Sequence, residues 1–208
     1  GVRIVDADAC IGAEALGADL ANLDAAGFAA LEAAFDRRSV LCVRDQALTP
    51  AAYLAFARRF GAVERIFLNH YAHPDCPDIM LVSNVQQDGR NIGHADAGRV
   101  WHTDMSYMAS PPRATLLYAI ETPEANGRPL GATSFASAVA AYDSLDAETK
   151  ALIDGRTAVH RVSGRRKATG TGEADDAHRA RMPDVVHPVA RVNPFTGRRA
   201  IYVNEGEC

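Results

Sequence analysis

Apolar residues at helical spacing open the chain. Phe28, Leu31 and Phe35 fall at i, i+3 and i+7 behind Asp24, a residue able to cap a helix. That stripe ends in Asp36-Arg37-Arg38, and the short apolar run Val40 to Val43 after it reads as a buried strand. Thr49-Pro50 marks a second helix start, a capping hydroxyl followed by proline at the first helical position. Tyr53, Phe56, Ala57 and Phe60 form its inner face, and Gly61 is placed to end it. From Ile79 the signal becomes extended. Strands are predicted over Ile79 to Val82, Val100 to Tyr107, Ala114 to Glu121, Thr157 to Val162, Val189 to Val192 and Arg199 to Val203. The last two flank the turn-forming Asn193 to Gly197 and read as a hairpin. One helix, Ser137 to Ile153 with a break near Leu145-Asp146, interrupts the strands. Two polar stretches, Gln86 to Arg99 and Gly164 to Asp184, read as a long loop and an exposed excursion.

Many strands, with helices gathered early and at one insertion, predict a β-rich α+β fold. A jelly-roll or barrel-like sandwich with flanking helices fits this order better than an alternating βαβ sheet. The 208 residues suit one domain.

Charge narrows the partners. Lys and Arg total 22 against 26 for Asp and Glu, a net charge of −4 that gives no concentrated positive surface for nucleic acid or an anionic membrane. The one basic cluster, Arg161 to Lys167, sits among Gly, Ser and Thr and reads as a solvated loop. Cys10, Cys42, Cys76 and Cys208 form no CxxC pair, so neither a zinc ribbon nor a thioredoxin-like motif is expected. No apolar run approaches the roughly 20 residues that span a bilayer, and the acidic first twenty residues have no basic n-region. A soluble, cytoplasmic protein is the expectation, with a homo-oligomer as its assembly.

The candidate chemistry lies in Val100-Trp101-His102-Thr103-Asp104-Met105-Ser106-Tyr107. On a strand, residues i and i+2 share a face, so His102 and Asp104 would project side by side. An imidazole nitrogen and a carboxylate oxygen so placed supply two corners of a 2-His-1-carboxylate set, which leaves three positions open on iron(II). The same pair could instead simply hydrogen-bond. The preceding polar loop favours a site margin.

The wider sequence resembles the taurine dioxygenase and 2,4-dichlorophenoxyacetate dioxygenase family almost end to end. The resemblance is carried by Val43 to Pro50, Arg58-Arg59-Phe60-Gly61, Trp101-His102-Thr103-Asp104, Pro111-Pro112, Thr133 to Ser137 and His187 to Arg191, then by Pro194, Gly197 and Val203-Asn204. It implies a double-stranded β-helix, or jelly roll, with Fe(II), 2-oxoglutarate as cosubstrate, and O2. It further implies His102 and Asp104 as iron ligands and Thr133 as the hydroxyl that meets a 2-oxoglutarate carboxylate. Residues 128 to 132 lengthen the segment before Thr133 relative to the family pattern.

In that family the second iron histidine and the arginine for 2-oxoglutarate follow the late hairpin. They are therefore expected beyond Cys208, in a C-terminal part of the single 1–208 domain missing from the chain. His187, beside Pro188, reads as the start of a strand. The implied reaction is hydroxylation of an unactivated C–H bond in a small, anionic substrate, with release of succinate and CO2. The alternative is a non-catalytic protein of the same fold that binds 2-oxoglutarate or a metal. Ile66 stands where taurine enzymes carry a sulfonate-binding histidine, which argues against taurine. Asn69 and His70, with His73 nearby, and Tyr107 are the candidate substrate contacts.

Overall fold

The computed structural model describes residues 1–64, 71–95, 97–98, 100–162 and 182–208. Asn69 and His70, and most of the stretch from Gly164 to Asp184, lie outside the described residues.

The first layer is a small sheet under two helices. Strand β1 (Arg3–Asp6) pairs antiparallel with β2 (Ala13–Leu16), which pairs in parallel with β3 (Leu41–Cys42). Helix α1 (Ala25–Arg38) connects β2 to β3. Asp24 caps it by accepting from the Gly27 N–H at 2.7 Å, and Ser39, left-handed at φ 64°, ends it. The capping hydroxyl of Thr49 and Pro50 at the first position start α2 (Pro50–Ala57), which tightens into a 3-10 turn, Arg58–Phe60. The α1 and α2 expectations therefore hold at both starts. The sequence shows no clear strand at β2, because alternating alanine (Ala13 and Ala15, both buried) is a strong helix former and a weak strand signal.

Ala15, Leu31 and Phe56 centre the core, with Phe28, Leu41, Phe60 and Leu116 packed against them. Phe60 meets Phe28, Phe56 and Phe35 edge-on at centroid distances of 5.0, 5.7 and 5.9 Å, an arrangement favoured by the ring quadrupoles.

The rest of the sheet structure is hairpins. Strands β4 (Ala72–His73) and β5 (Cys76–Met80) form one, three residues earlier than the predicted strand at Ile79. Strands β6 (Gln86–Gln87) and β7 (Arg90–Asn91) form another within the predicted loop. Its turn, Asp88-Gly89, has φ of 51° and 75°, as a two-residue hairpin turn requires. Gly93 then packs against the chain leaving β5: a Cβ there would lie 2.8 Å from the Leu81 carbonyl oxygen. Strands β8 (Glu124–Ala125) and β9 (Arg128–Pro129) repeat the device around Asn126-Gly127, with φ of 54° and 70°.

Helices α3 (Ala138–Ser144) and α4 (Ala147–Ile153) are separated at Leu145-Asp146, where Asp146 caps the second. Strands β10 (Thr157–His160) and β11 (Val185–Pro188) pair antiparallel, as do β12 (Ala190–Val192) and β13 (Arg199–Ile201), the predicted hairpin around Asn193. The architecture is thus mixed α/β with short strands: one three-stranded sheet and five two-stranded ones among the described residues. No helix among these residues is long and apolar enough to cross a membrane.

Two predicted strands differ. Residues 114–119 have no ladder partner among the described residues and are pinned by tyrosines instead. The Tyr53 hydroxyl donates to the Leu116 carbonyl at 2.6 Å, while Tyr118 accepts from the Leu48 N–H and donates to the Gln46 carbonyl. Over residues 104–107 the chain forms a turn, with Met105 left-handed at φ 55°.

Two histidines on paired strands hold that turn. His160, fully buried on β10, lies 2.8 Å from the Ser106 hydroxyl through Nδ1, and Ser106 donates to a Glu207 carboxylate oxygen. Since the one hydroxyl hydrogen goes to Glu207, Nδ1–H of His160 is the donor in the other bond. On β11, His187 Nε2–H donates to the Met108 carbonyl at 2.9 Å. His187 is therefore the third residue of β11 and not, as expected, the start of a strand, and its ring reaches into the turn. Burial pushes the His160 imidazole below its ordinary pKa; His187 acts in the same direction and Glu207 opposes it.

Arg113 ties the layers together. Its guanidinium pairs with Glu32 at 2.6 Å and Asp36 at 3.0 Å on α1, and stacks 4.0 Å from the Phe195 ring in the β12–β13 turn. Arg113→Met is expected to cost about 2 kcal/mol in chemical denaturation, since it strands two acidic groups that are only partly hydrated. A loss within experimental error of zero would show that the tie is not structural.

His160 sets the second expectation. A buried imidazole with a lowered pKa binds its proton more readily in the unfolded chain. Its contribution is complete above about pH 6.5, the ordinary imidazole value, and drains away as pH falls toward the depressed folded value. Urea melts between about pH 8 and about pH 5 should show this slope, and His160→Gln should flatten it. Parallel profiles for the two proteins would contradict the assignment.

Candidate functional site

His102 and Asp104 lie on a segment without ladder bonds, where the spacing argument alone does not decide their orientation. The structure nevertheless places them together: His102 Nε2 is 3.1 Å from Asp104 Oδ1. The route differs from the strand face that the sequence suggests. The His102 ring is set by its own backbone, Nδ1 lying 2.6 Å from the Val100 carbonyl oxygen. A carbonyl can only accept, so Nδ1 carries a hydrogen; Nε2 is left to face Asp104, as an N–H donor to the carboxylate or, with a metal ion between them, as a lone-pair ligand. Such a carbonyl partner is the usual device for orienting a metal-binding imidazole.

Asp104 is held from the other side. The Thr115 hydroxyl donates to Oδ2 at 2.8 Å, so the two carboxylate oxygens face different groups. Immediately afterwards the left-handed Met105 turns the chain inward, and Ser106 is fully buried against His160 and Glu207. His102 and Asp104 are each half-buried at the margin of this anchored turn, within reach of solvent.

The donor set fits a divalent metal. Two ligand atoms each about 2.1 Å from one ion and at right angles are about 3.0 Å apart, close to the 3.1 Å separation here. A neutral imidazole and a carboxylate also match iron(II) in donor type. Among the described residues no group of three His, Cys, Asp or Glu side chains is gathered to hold a metal ion.

The other expected site residues are placed less closely. Thr133 is exposed on the irregular segment between β9 and α3, and none of the described contacts joins it to His102 or Asp104. Tyr107 is half-buried in the turn, whereas Trp101 is 66% exposed. Asn69 and His70 lie outside the described residues. Sequence reasoning missed Thr115 and the buried Ser106, His160, His187 and Glu207. Residues 114–119 carry a period-2 pattern in which Leu116 and Tyr118 face inward, so Thr115 was legible as an outward hydroxyl but not as a partner of Asp104.

Residues 3–207 match the family described as taurine catabolism dioxygenase TauD, TfdA family. The chain is 34% identical to the (S)-phenoxypropionate/alpha-ketoglutarate-dioxygenase of Delftia acidovorans over 97% of its own length and 70% of that protein. It is 30% identical to the alpha-ketoglutarate-dependent 2,4-dichlorophenoxyacetate dioxygenase of Cupriavidus pinatubonensis, covering 83% of this chain and 62% of that one. The chain thus spans about two thirds of the length of these relatives. In fold it resembles AAD-2, crystallised with Mn(II) and N-oxalylglycine, with a TM-score of 0.70 at 24% identity, over all of this chain and 71% of that one. The chain belongs to the TauD/TfdA family of Fe(II)- and 2-oxoglutarate-dependent dioxygenases.

Proposed function

We propose that the protein is an oxygenase that hydroxylates an unactivated C–H bond of a small, anionic organic substrate, consuming 2-oxoglutarate and O2 and releasing succinate and CO2. The observation that carries this reading is the oriented pair: His102 Nε2 set by the Val100 carbonyl, 3.1 Å from an Asp104 oxygen that Thr115 restrains. His102 and Asp104 would hold Fe(II) as two of the three protein ligands that the family resemblance implies. Bound iron would supply oxygen activation, driven by oxidative decarboxylation of the 2-oxo acid.

The residues of this chain do the positioning. With the Nδ1–H of His102 committed to the Val100 carbonyl, Nε2 is the nitrogen that would ligate the metal. Asp104 contributes the single negative charge that offsets part of the metal's. Thr133 would donate its hydroxyl to a carboxylate of 2-oxoglutarate, orienting the cosubstrate at the metal. Asn69, His70 and Tyr107 are the proposed substrate contacts. An anionic substrate is supported by the relatives, two of which are named for a phenoxypropionate and for 2,4-dichlorophenoxyacetate. The short strands are proposed as part of a double-stranded β-helix, supported by the fold shared with AAD-2.

Succinate release from 2-oxoglutarate, followed with Fe(II) and ascorbate across a panel of aryloxyalkanoates, sulfonates and sulfate esters, tests the function directly. His102→Ala should abolish iron-dependent succinate formation while the thermal transition stays in place; undiminished turnover would remove His102 from the ligand set. Thr133→Ala should weaken 2-oxoglutarate binding about tenfold, the worth of a hydrogen bond to a charged group, and leave substrate binding far less affected. Equal losses for both would argue against its proposed role. A protein that binds 2-oxoglutarate and metal but forms no succinate with any panel member would be a binding protein of the same fold.

A further inference from the structure

Thr115 is the residue whose position the site geometry leaves unexplained by packing. It is exposed, and its neighbours Leu116 and Tyr118 make the inward contacts of the segment. Tyr53 and Tyr118 pin that segment at the Leu116 carbonyl and at the Gln46–Leu48 backbone. With residues 116 and 118 fixed, alternation sends the 115 side chain to the opposite side, where the Asp104 carboxylate lies. Threonine is β-branched and stiff at χ1, so a pinned backbone also fixes its hydroxyl. The result is a 2.8 Å bond to Asp104 Oδ2, inside the ordinary range for a hydroxyl donating to a carboxylate.

We propose that Thr115 is a positioning residue that makes Asp104 a one-oxygen ligand. The inference rests on the reading of Asp104 as a metal ligand. With Oδ2 engaged by the hydroxyl, Oδ1 would be the oxygen left for a metal, and it faces His102 Nε2 at a separation that two neighbouring ligands would also have. A carboxylate without this restraint could rotate and chelate through both oxygens, filling a coordination position that the cosubstrate or O2 needs. Two hydrogen-bonding groups thus orient the pair from outside: the Val100 carbonyl on the histidine and the Thr115 hydroxyl on the aspartate.

The test compares wild type, Thr115→Val, Thr115→Ser and Asp104→Asn in the full-length protein. Mn(II) binding is followed by calorimetry without cosubstrate, alongside thermal melting and the KM for 2-oxoglutarate. Thr115→Val keeps the shape of the side chain and removes the hydroxyl. It should change the Mn(II) dissociation constant and the 2-oxoglutarate KM by about tenfold or more at an unchanged melting temperature, as loss of a ligand's hydrogen-bond partner does elsewhere. Thr115→Ser should restore both to within about threefold of wild type, because it returns the donor. If Asp104→Asn removes Mn(II) binding while Thr115→Val leaves both constants unchanged, the positioning role is wrong and the metal site stands. If Thr115→Ser fails to rescue, or the melting temperature falls in step with binding, Thr115 is a structural residue. If Asp104→Asn leaves Mn(II) binding intact, the metal reading itself fails.

Discussion

One left-handed residue sets the geometry of the candidate site. Met105 follows Asp104 directly with φ 55°, a conformation that side chains other than glycine adopt at a cost of order 1 kcal/mol. Such a turn persists only where its surroundings over-determine it. Here they do: His160 and Glu207 take Ser106 into the interior, and His187 holds the Met108 carbonyl three residues beyond the turn residue. On a strand, Ser106 would share a face with His102 and Asp104. The turn instead lets Asp104 stay at the solvent margin while the next residue but one is fully buried.

The anchoring groups come from elements far apart in sequence, which makes the site a product of the whole fold. Strands β10 and β11 supply the two histidines, their rings edge-on at 5.1 Å with Tyr202 stacked over His160 at 5.3 Å. Helix α2 supplies Tyr53, which fixes the segment that carries Thr115. Arg113, two residues before Thr115, ties the same segment to α1 and to the β12–β13 turn. The ends of that short segment are therefore held from both layers. A shift of either layer would reach Asp104 through Thr115.

How much of this the sequence discloses varies with the range of the interaction. Helix starts are local, and Asp24, Thr49-Pro50 and Ser137 announce them correctly, while the predicted break near Leu145-Asp146 falls where α3 gives way to α4. The hairpins at Asp88-Gly89 and Asn126-Gly127 carry turn-forming dipeptides, but the sequence reading put the first inside a loop and predicted no strands at the second. His102 and Asp104 lie together, but by a kinked backbone and not by the strand face from which the spacing argument predicted it. The partners of Ser106 were out of reach. Glu207 is 101 residues away, and a histidine beside a proline carries no mark of the carbonyl it will bond. Thr133 and the substrate contacts depend on the family resemblance, because nothing local distinguishes an exposed threonine as a ligand.

The two ligand candidates are oriented by groups of different kinds, and that difference has a consequence. The tautomer of His102 is set by a main-chain carbonyl, which no substitution at position 100 other than one that moves the backbone can remove. At the Oδ2 of Asp104 the partner is a side-chain hydroxyl, Thr115, on an exposed position. The imidazole half of the pair is thus insulated from sequence change, whereas the carboxylate half can be tuned by one replacement at position 115. On the proposed metal reading, control over how many coordination positions remain open would sit on Thr115, at the edge of the site and not in its buried support.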